Sequence, residues 1–116
     1  MGLDLAAATN SLVRAVGDGR IVATNAGLGK VVRKLRLEPP GAWSDRGALV
    51  THVVYADLGD ALVQAGDRVR KGDAIARVPR EGFVHFAVKH VGARGEEFFD
   101  PAEAGFPYRT SMKGVA

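Results

Sequence analysis

The chain has 116 residues, which suffices for one domain and leaves no room for a second hydrophobic core of ordinary size. Apolar residues make up 47% and charged residues 25%, a balance that excludes a disordered or collagen-like chain. The net charge of +3 is too small, and its cations too scattered, for a groove that follows nucleic acid. The absence of cysteine excludes disulfides, thiolate metal sites and cysteine nucleophiles. No apolar run is long enough for a membrane span, and we expect no secretory signal in the first 16 residues.

Alternating apolar and polar residues, many of them β-branched, indicate short strands rather than helices. Residues 4–8 have a helical pattern but are too few to form a helix alone. Glycine-rich segments at 17–19 and 25–29 predict turns, and the prolines in 38–47 predict a surface loop between two long antiparallel strands. The predicted fold class is all-β, with strands at residues 12–16, 20–24, 30–37, 48–58, 74–78 and 83–90.

Two segments repeat the order strand, Gly-Asp turn, strand. They cover residues 13–23 and 63–78, and this internal echo predicts a pseudo-symmetric sandwich. The alternation of apolar and polar residues ends after residue 101. We therefore expect a domain over residues 1–101, followed by an irregular tail over residues 102–116.

The segment 63–78 resembles the strand-turn-strand element of barrel-sandwich hybrid folds, which two families share. Lipoyl and biotinyl carrier domains present a modified lysine beside a methionine or in an Asp-Lys context. Lys30 follows a glycine-rich turn but has no such neighbour, which disfavours a carrier. The other family is the lysostaphin- or LytM-type zinc metallopeptidases of bacterial cell walls, which the chain resembles from Gly2 to about Pro101.

Four motifs carry this second resemblance. Gly2 and Asp4 look like the end of the family's H-x-G-x-D segment, and Asp100-Pro101 resembles the D-P that closes the domain. The segment 55–58, Tyr-Ala-Asp-Leu, looks like the Y-x-H-L strand, and 83–86, Phe-Val-His-Phe, looks like the H-L-H-F strand. The resemblance implies a duplicated hybrid motif, that is, a barrel-sandwich hybrid of short, mainly antiparallel strands.

In this family, the His and Asp of H-x-G-x-D and the second His of H-x-H bind zinc. The two remaining histidines handle protons and stabilise the oxyanion. The resemblance places Asp4 and His85 at two of the zinc positions, whereas the first zinc His would precede Met1 and is missing from this chain. Phe83 and Asp57 stand at the two proton-handling positions. Phe83 cannot transfer a proton, and Asp57 can accept one but cannot supply an N–H to an oxyanion.

The resemblance with these departures therefore implies a degenerate active site without catalytic residues. We expect no cofactor, with Asp4 and His85 as remnant ligands for at most residual zinc. The expectation is that the chain is not an enzyme. An alternative role for His85 is that of a buried histidine hydrogen-bonded to Asp4 or Asp57.

Strand parity adds a geometric expectation, because alternate residues of a strand share a face. Phe83 and His85 are expected to point the same way, as are Tyr55 and Asp57, while His52 should point to the opposite face from that second pair. His52 and His90 are therefore interpreted as ordinary strand or surface histidines.

The leading hypothesis is an inactive LytM-like domain that serves as a structural or binding module. Its expected partners are proteins of a larger assembly, such as a phage tail or a related injection particle, or a wall hydrolase that it regulates. We favour a virion or particle component over a periplasmic protein, with the compartment undetermined.

Two alternatives remain. The first is an active zinc endopeptidase that cleaves peptidoglycan cross-bridges with a ligand supplied from outside this chain. The second is a groove that binds wall peptide or glycan without cutting it, through Tyr55, Asp57, Trp43, Arg33 and Arg36. For the two arginines, the competing interpretation is a solvated strand face.

Overall fold

The computed structural model describes residues 3–24, 31–40, 44–45, 48–93 and 95–99. These residues form strands and no helix, so this part of the chain contains no helical segment that could cross a membrane. The strands are β1 (Leu3–Ala6), β2 (Leu12–Arg14), β3 (Gly19–Thr24), β4 (Val31–Leu37), β5 (Ser44–Asp45), β6 (Ala48–Leu49), β7 (His52–Leu58), β8 (Arg68–Val69), β9 (Ala74–Arg77), β10 (Phe83–Gly92) and β11 (Gly95–Phe99).

A seven-stranded antiparallel sheet dominates the fold, in the order β1-β10-β7-β4-β3-β8, with β11 also paired to β10. The long strand β10 has β7 on one side, and on the other side β1 pairs with its first half and β11 with its second half. Two-stranded sheets, β2-β9 and β5-β6, complete the described strands. The predicted fold class, all-β with antiparallel strands, is confirmed.

The core lies between one face of the large sheet and the β2-β9 pair. Strand β10 shows why: Val84, Phe86 and Val88 are buried at every second position, as the two-residue period of a strand requires. They pack with Val13 of β2 and Ile75 of β9 in one continuous apolar cluster. Full burial of each such side chain stabilises the fold by about 1.5–3 kcal/mol.

The two echoed segments pair with each other. β2 and β3 belong to the first segment, β8 and β9 to the second, and the pairs formed are β2-β9 and β3-β8. Backbone bonds at the turns join them further, since the Ala15 N–H donates to the Asp73 carbonyl at 2.8 Å and the Gly72 N–H donates to the Ala15 carbonyl at 2.8 Å. Each segment thus supplies the partner strands of the other.

All the strands predicted from sequence are present, with shifts of a few residues at their ends. The predicted strand over 48–58 divides into β6 and β7, and the expected loop over 38–47 contains the short strand β5. Strands β1, β5, β8 and β11 were not predicted, because they are short or carry several charged residues. The predicted turn at 25–29, Lys30, Trp43, the Asp100-Pro101 pair and the tail over 102–116 lie outside the described residues.

Candidate active site

The site begins with a carboxylate and an imidazole on neighbouring strands. Asp4 of β1 is directly opposite His85 of β10 in the sheet register. The His85 Nδ1 donates to Asp4 Oδ1 at 2.9 Å, and both side chains remain partly exposed. This contact matches the alternative in which His85 is hydrogen-bonded to Asp4, although His85 is not fully buried. The pair is held by backbone pairing, so the two side chains meet without any long loop.

A cavity of about 470 Å³ opens beside this pair. Phe83 lines it with His85, and the expectation that these two side chains share a strand face is therefore met by the geometry. Phe83 is 53% exposed, which leaves its ring available to a ligand. The full lining is Asp4, Val31, Asp57, Leu58, Pro79, Glu81, Phe83 and His85.

Asp57 reaches this cavity through a β-bulge. Its φ of 56° lies in the left-handed region, which aspartate tolerates better than most residues. Between β4 and β7, the pairs Val31–Leu58 and Arg33–Tyr55 show one extra residue in β7. The extra residue reverses the alternation after Tyr55 and brings the Asp57 carboxyl group to the cavity side.

Tyr55 does not lie at the cavity, and the prediction that it shares a face with Asp57 is wrong. Its side chain is fully buried in the core, where its ring meets Phe86 edge to face at a centroid distance of 4.9 Å. The Val16 N–H donates to the Tyr55 hydroxyl at 3.0 Å, and burial raises the pKa of that hydroxyl. Because none of its surface is exposed, Tyr55 cannot serve as the predicted groove contact.

The two arginines predicted to bind a ligand are also placed elsewhere. The Arg33 guanidinium donates to the Val63 carbonyl at 2.7 Å and to the Val32 carbonyl at 2.8 Å. Arg36 forms an ion pair with Glu38 at 2.8 Å. Neither arginine lines the cavity of Asp4 and His85.

His52 lies away from the site, for a reason that differs from the predicted one. His52 of β7 is paired with Lys89 of β10, and Ala56, four residues further along β7, is paired with His85. Since paired residues share a face of the sheet, His52 lies on the same face as His85. Four residues of strand separate them, or about 13 Å. Distance rather than the facing direction therefore separates His52 from the cavity. His90 also lies outside the lining of the cavity, and its Nδ1 donates to the Leu49 carbonyl at 2.9 Å.

Charged side chains surround His52 at that end of the sheet. The Lys89 amine, only 3% exposed, donates to Glu96 at 2.8 Å, and Lys34 lies 3.9 Å from the same carboxylate. The contact with Lys89 lowers the pKa of Lys34, and the hydrogen bond from Lys89 lowers the pKa of Glu96. Burial, with the nearby Lys34 and Lys89, lowers the pKa of His52. The neutral form of His52 is therefore favoured in the folded protein.

Several cavity residues were not anticipated from the sequence. Val31, Leu58 and Pro79 form apolar wall, and Glu81 adds a carboxylate from the turn before β10. Glu81 could have been predicted as a cavity residue from its position in the sequence, since it precedes Phe83 by two residues. The bulge at Asp57, which brings Leu58 and Asp57 to one cavity, has no such signal.

The donor chemistry at the cavity fits zinc in part. Carboxylate oxygen and imidazole nitrogen are both ordinary zinc ligands, and Asp4 and His85 place one of each 2.9 Å apart at the cavity. Catalytic zinc sites use three protein ligands, and the described residues contain no cluster of three acidic, histidine or cysteine side chains able to hold a metal. A complete site needs a further donor from outside the described residues.

The model of peptidase family M23 matches residues 1–98. The chain belongs to this family. Among solved structures, the M23 chain resembles LytU, with 26% sequence identity, a TM-score of 0.66, and coverage of 96% of this chain and 77% of that one. It also resembles a point mutant of the catalytic domain of the prophage-encoded M23 protein EnpA from Enterococcus faecalis. Here the identity is 21% and the TM-score 0.66, with coverage of 90% of this chain and 77% of that one. No curated protein matches.

The family resemblance predicted from the motifs is therefore confirmed. The prediction that the chain is not an enzyme is wrong, because a peptidase family matches most of its length and a catalytic domain shares its fold. The inference failed because it treated three altered positions, the missing first zinc histidine together with Asp57 and Phe83, as sufficient evidence against a peptidase.

Proposed function

We propose that this M23 domain is a metal-dependent peptidase that acts on the peptide part of the bacterial cell wall. The observation that carries the proposal is the Asp4–His85 pair, held at 2.9 Å on adjacent strands at the edge of a cavity, in a chain of this family. A peptide bond placed in that cavity lies beside both metal-ligand groups and beside the Asp57 carboxyl group.

A zinc ion bound in such a site would supply Lewis-acid chemistry, activating water and polarising the peptide carbonyl. Asp4 and His85 are the residues that would hold it, with two of its ligands. Asp57 is the group at the cavity suited to accept a proton from the attacking water, since Phe83 has no ionisable atom. The bulge fixes the backbone of Asp57, so the carboxyl group needs little reorganisation to act as a base.

Zinc binding and wall cleavage test this proposal together. We expect the purified chain to bind Zn²⁺ in calorimetric titration and to release soluble fragments from purified sacculi. Asp4→Asn and His85→Gln should each weaken zinc binding and abolish release. His90→Gln is the matched control, because His90 lies on the same strand but on the opposite face. Absence of both zinc binding and release from the unaltered chain would overturn the proposal.

We further propose that the domain works within a larger assembly that meets the wall, such as a phage tail or injection particle, or beside a wall hydrolase. The support is a group of exposed apolar side chains around the β10-β11 end of the sheet, namely Leu49, Val91 and Phe98. Size-exclusion chromatography of a native extract tests this idea. Elution at the size of a 116-residue monomer would contradict it.

A further inference from the structure

The described lining of the cavity is acidic, although the chain as a whole is basic. Among the described residues, Asp4, Asp57 and Glu81 line it together with one further ionisable side chain, His85. No described lysine or arginine lies in that lining, although these residue types give the chain its net charge of +3. A site with this charge attracts a cationic ligand and repels an anionic one.

Phe83 adds a second and chemically different feature to the same cavity. Its ring is 53% exposed, and it lies two residues from Glu81 and two from His85. An ammonium group within about 6 Å of an aromatic ring is attracted to the face of that ring. Val31, Leu58 and Pro79 give the apolar wall along which the methylene groups of a long amine side chain can pack.

The three carboxylates that line the cavity, Asp4, Asp57 and Glu81, have different roles. Asp4 is engaged with His85, and Asp57 is placed by its bulge as the proposed proton acceptor. Glu81 lies outside both arrangements and is exposed in the turn that leads into β10. It can therefore contact a part of the substrate that is remote from the bond being cut.

We propose that Glu81 and Phe83 form a specificity site for a primary amine carried by the substrate. The substrate class is a wall peptide whose diamino-acid side chain ends in an ammonium group, with the ammonium on the Phe83 ring and beside the Glu81 carboxylate. This inference rests on the proposed function, because it concerns which peptides enter the same cavity. Both residues act on binding, and neither takes part in proton transfer.

Paired peptides test the proposal by binding alone. The probe is a synthetic wall stem peptide with a free side-chain amine, compared with the same peptide after acetylation of that amine, in calorimetric titrations against the full chain with Zn²⁺. We expect acetylation to weaken binding at least about tenfold, which corresponds to about 1.4 kcal/mol. We expect added salt to weaken binding of the free amine more than binding of the acetylated peptide.

Variants then assign the effect to the two side chains. Glu81→Gln keeps the shape and removes the charge, while Phe83→Leu keeps an apolar side chain and removes the ring. Each should reduce the preference for the free amine severalfold, and the double variant should abolish it. Phe98→Leu is the matched control, because Phe98 is a similarly exposed ring on β11 outside the cavity.

A parallel cleavage assay on sacculi, untreated and chemically acetylated, separates failure of this inference from failure of the proposed function. Cleavage of both samples at equal rates, or equal binding of the two peptides, would overturn the amine site and leave the peptidase intact. A preference that survives in the double variant would also overturn it. Absence of cleavage, zinc binding and peptide binding would overturn both.

Discussion

Replacing Tyr55 with phenylalanine isolates a buried hydrogen bond that supports the strand carrying Asp57. The Tyr55 hydroxyl receives the Val16 N–H at 3.0 Å, and both residues are fully buried. Tyr55→Phe leaves the N–H without that partner in the core, at a cost of about 1–3 kcal/mol. With an unfolding entropy of about 2.1 cal/mol/K per residue, 1 kcal/mol corresponds to about 4 °C in this chain. We therefore expect the Tm to fall by about 4–12 °C.

Urea unfolding and calorimetry measure the stability change, and amide hydrogen exchange locates it. The Val16 amide should exchange faster in Tyr55→Phe, by more than the global change in stability explains. Tyr108→Phe, which removes the hydroxyl group of the other tyrosine of the chain, is the matched control. A loss below about 0.5 kcal/mol, with unchanged exchange at Val16, would refute the reasoning, since it would mean that the N–H has another partner.

The remaining predictions concern pH, packing and catalysis. The free energy of unfolding should fall as pH drops below 6.5, because the lowered pKa of His52 makes the unfolded chain bind more protons, and His52→Gln should remove this step. The lowered pKa of Glu96 predicts a second fall below pH 4.5; an unchanged slope in Glu96→Gln would contradict that assignment. Gly19→Ala should destabilise the fold by about 3 kcal/mol or more in urea, because the new Cβ would meet the Arg36 carbonyl oxygen and lie 3.0 Å from a Leu35 methyl group; near-wild-type stability would count against this packing. Asp57→Asn should reduce cleavage of sacculi about 100-fold, and retained cleavage would exclude Asp57 as the base.

Local sequence patterns predicted the fold class and most of the long strands, because β-branched alternation and turn residues act over a few positions. They also predicted that Phe83 and His85 share a face, since β10 is regular throughout this stretch. These local patterns failed where one inserted residue reverses the alternation of side chains along a strand. The bulge at Asp57 separates it from Tyr55, and nothing in the local composition indicates a left-handed aspartate at that position.

Other parts of the site depend on contacts that are distant in sequence. The Asp4–His85 bond joins residues 81 positions apart, and the motif resemblance, not periodicity, brought them together. Strand β1, Leu3–Ala6, was missed because residues 4–8 have a helical pattern, and the strand forms only by pairing with the edge of β10. Val31 reaches the cavity through the pairing of β4 with β7, and Pro79 lies between β9 and β10; local sequence patterns predict neither position.

Strand β10 is hydrogen-bonded along both edges, to β7 on one side and to β1 and β11 in turn on the other. Releasing its backbone requires two ladders to break at once, whereas the β10-β11 hairpin can open by losing one. The backbone of His85 should therefore keep its position when the β10-β11 hairpin opens transiently. A substrate that enters the cavity would then contact an imidazole on an already ordered backbone. Little conformational entropy is then left to lose at this residue on binding, and affinity is governed by the contacts themselves.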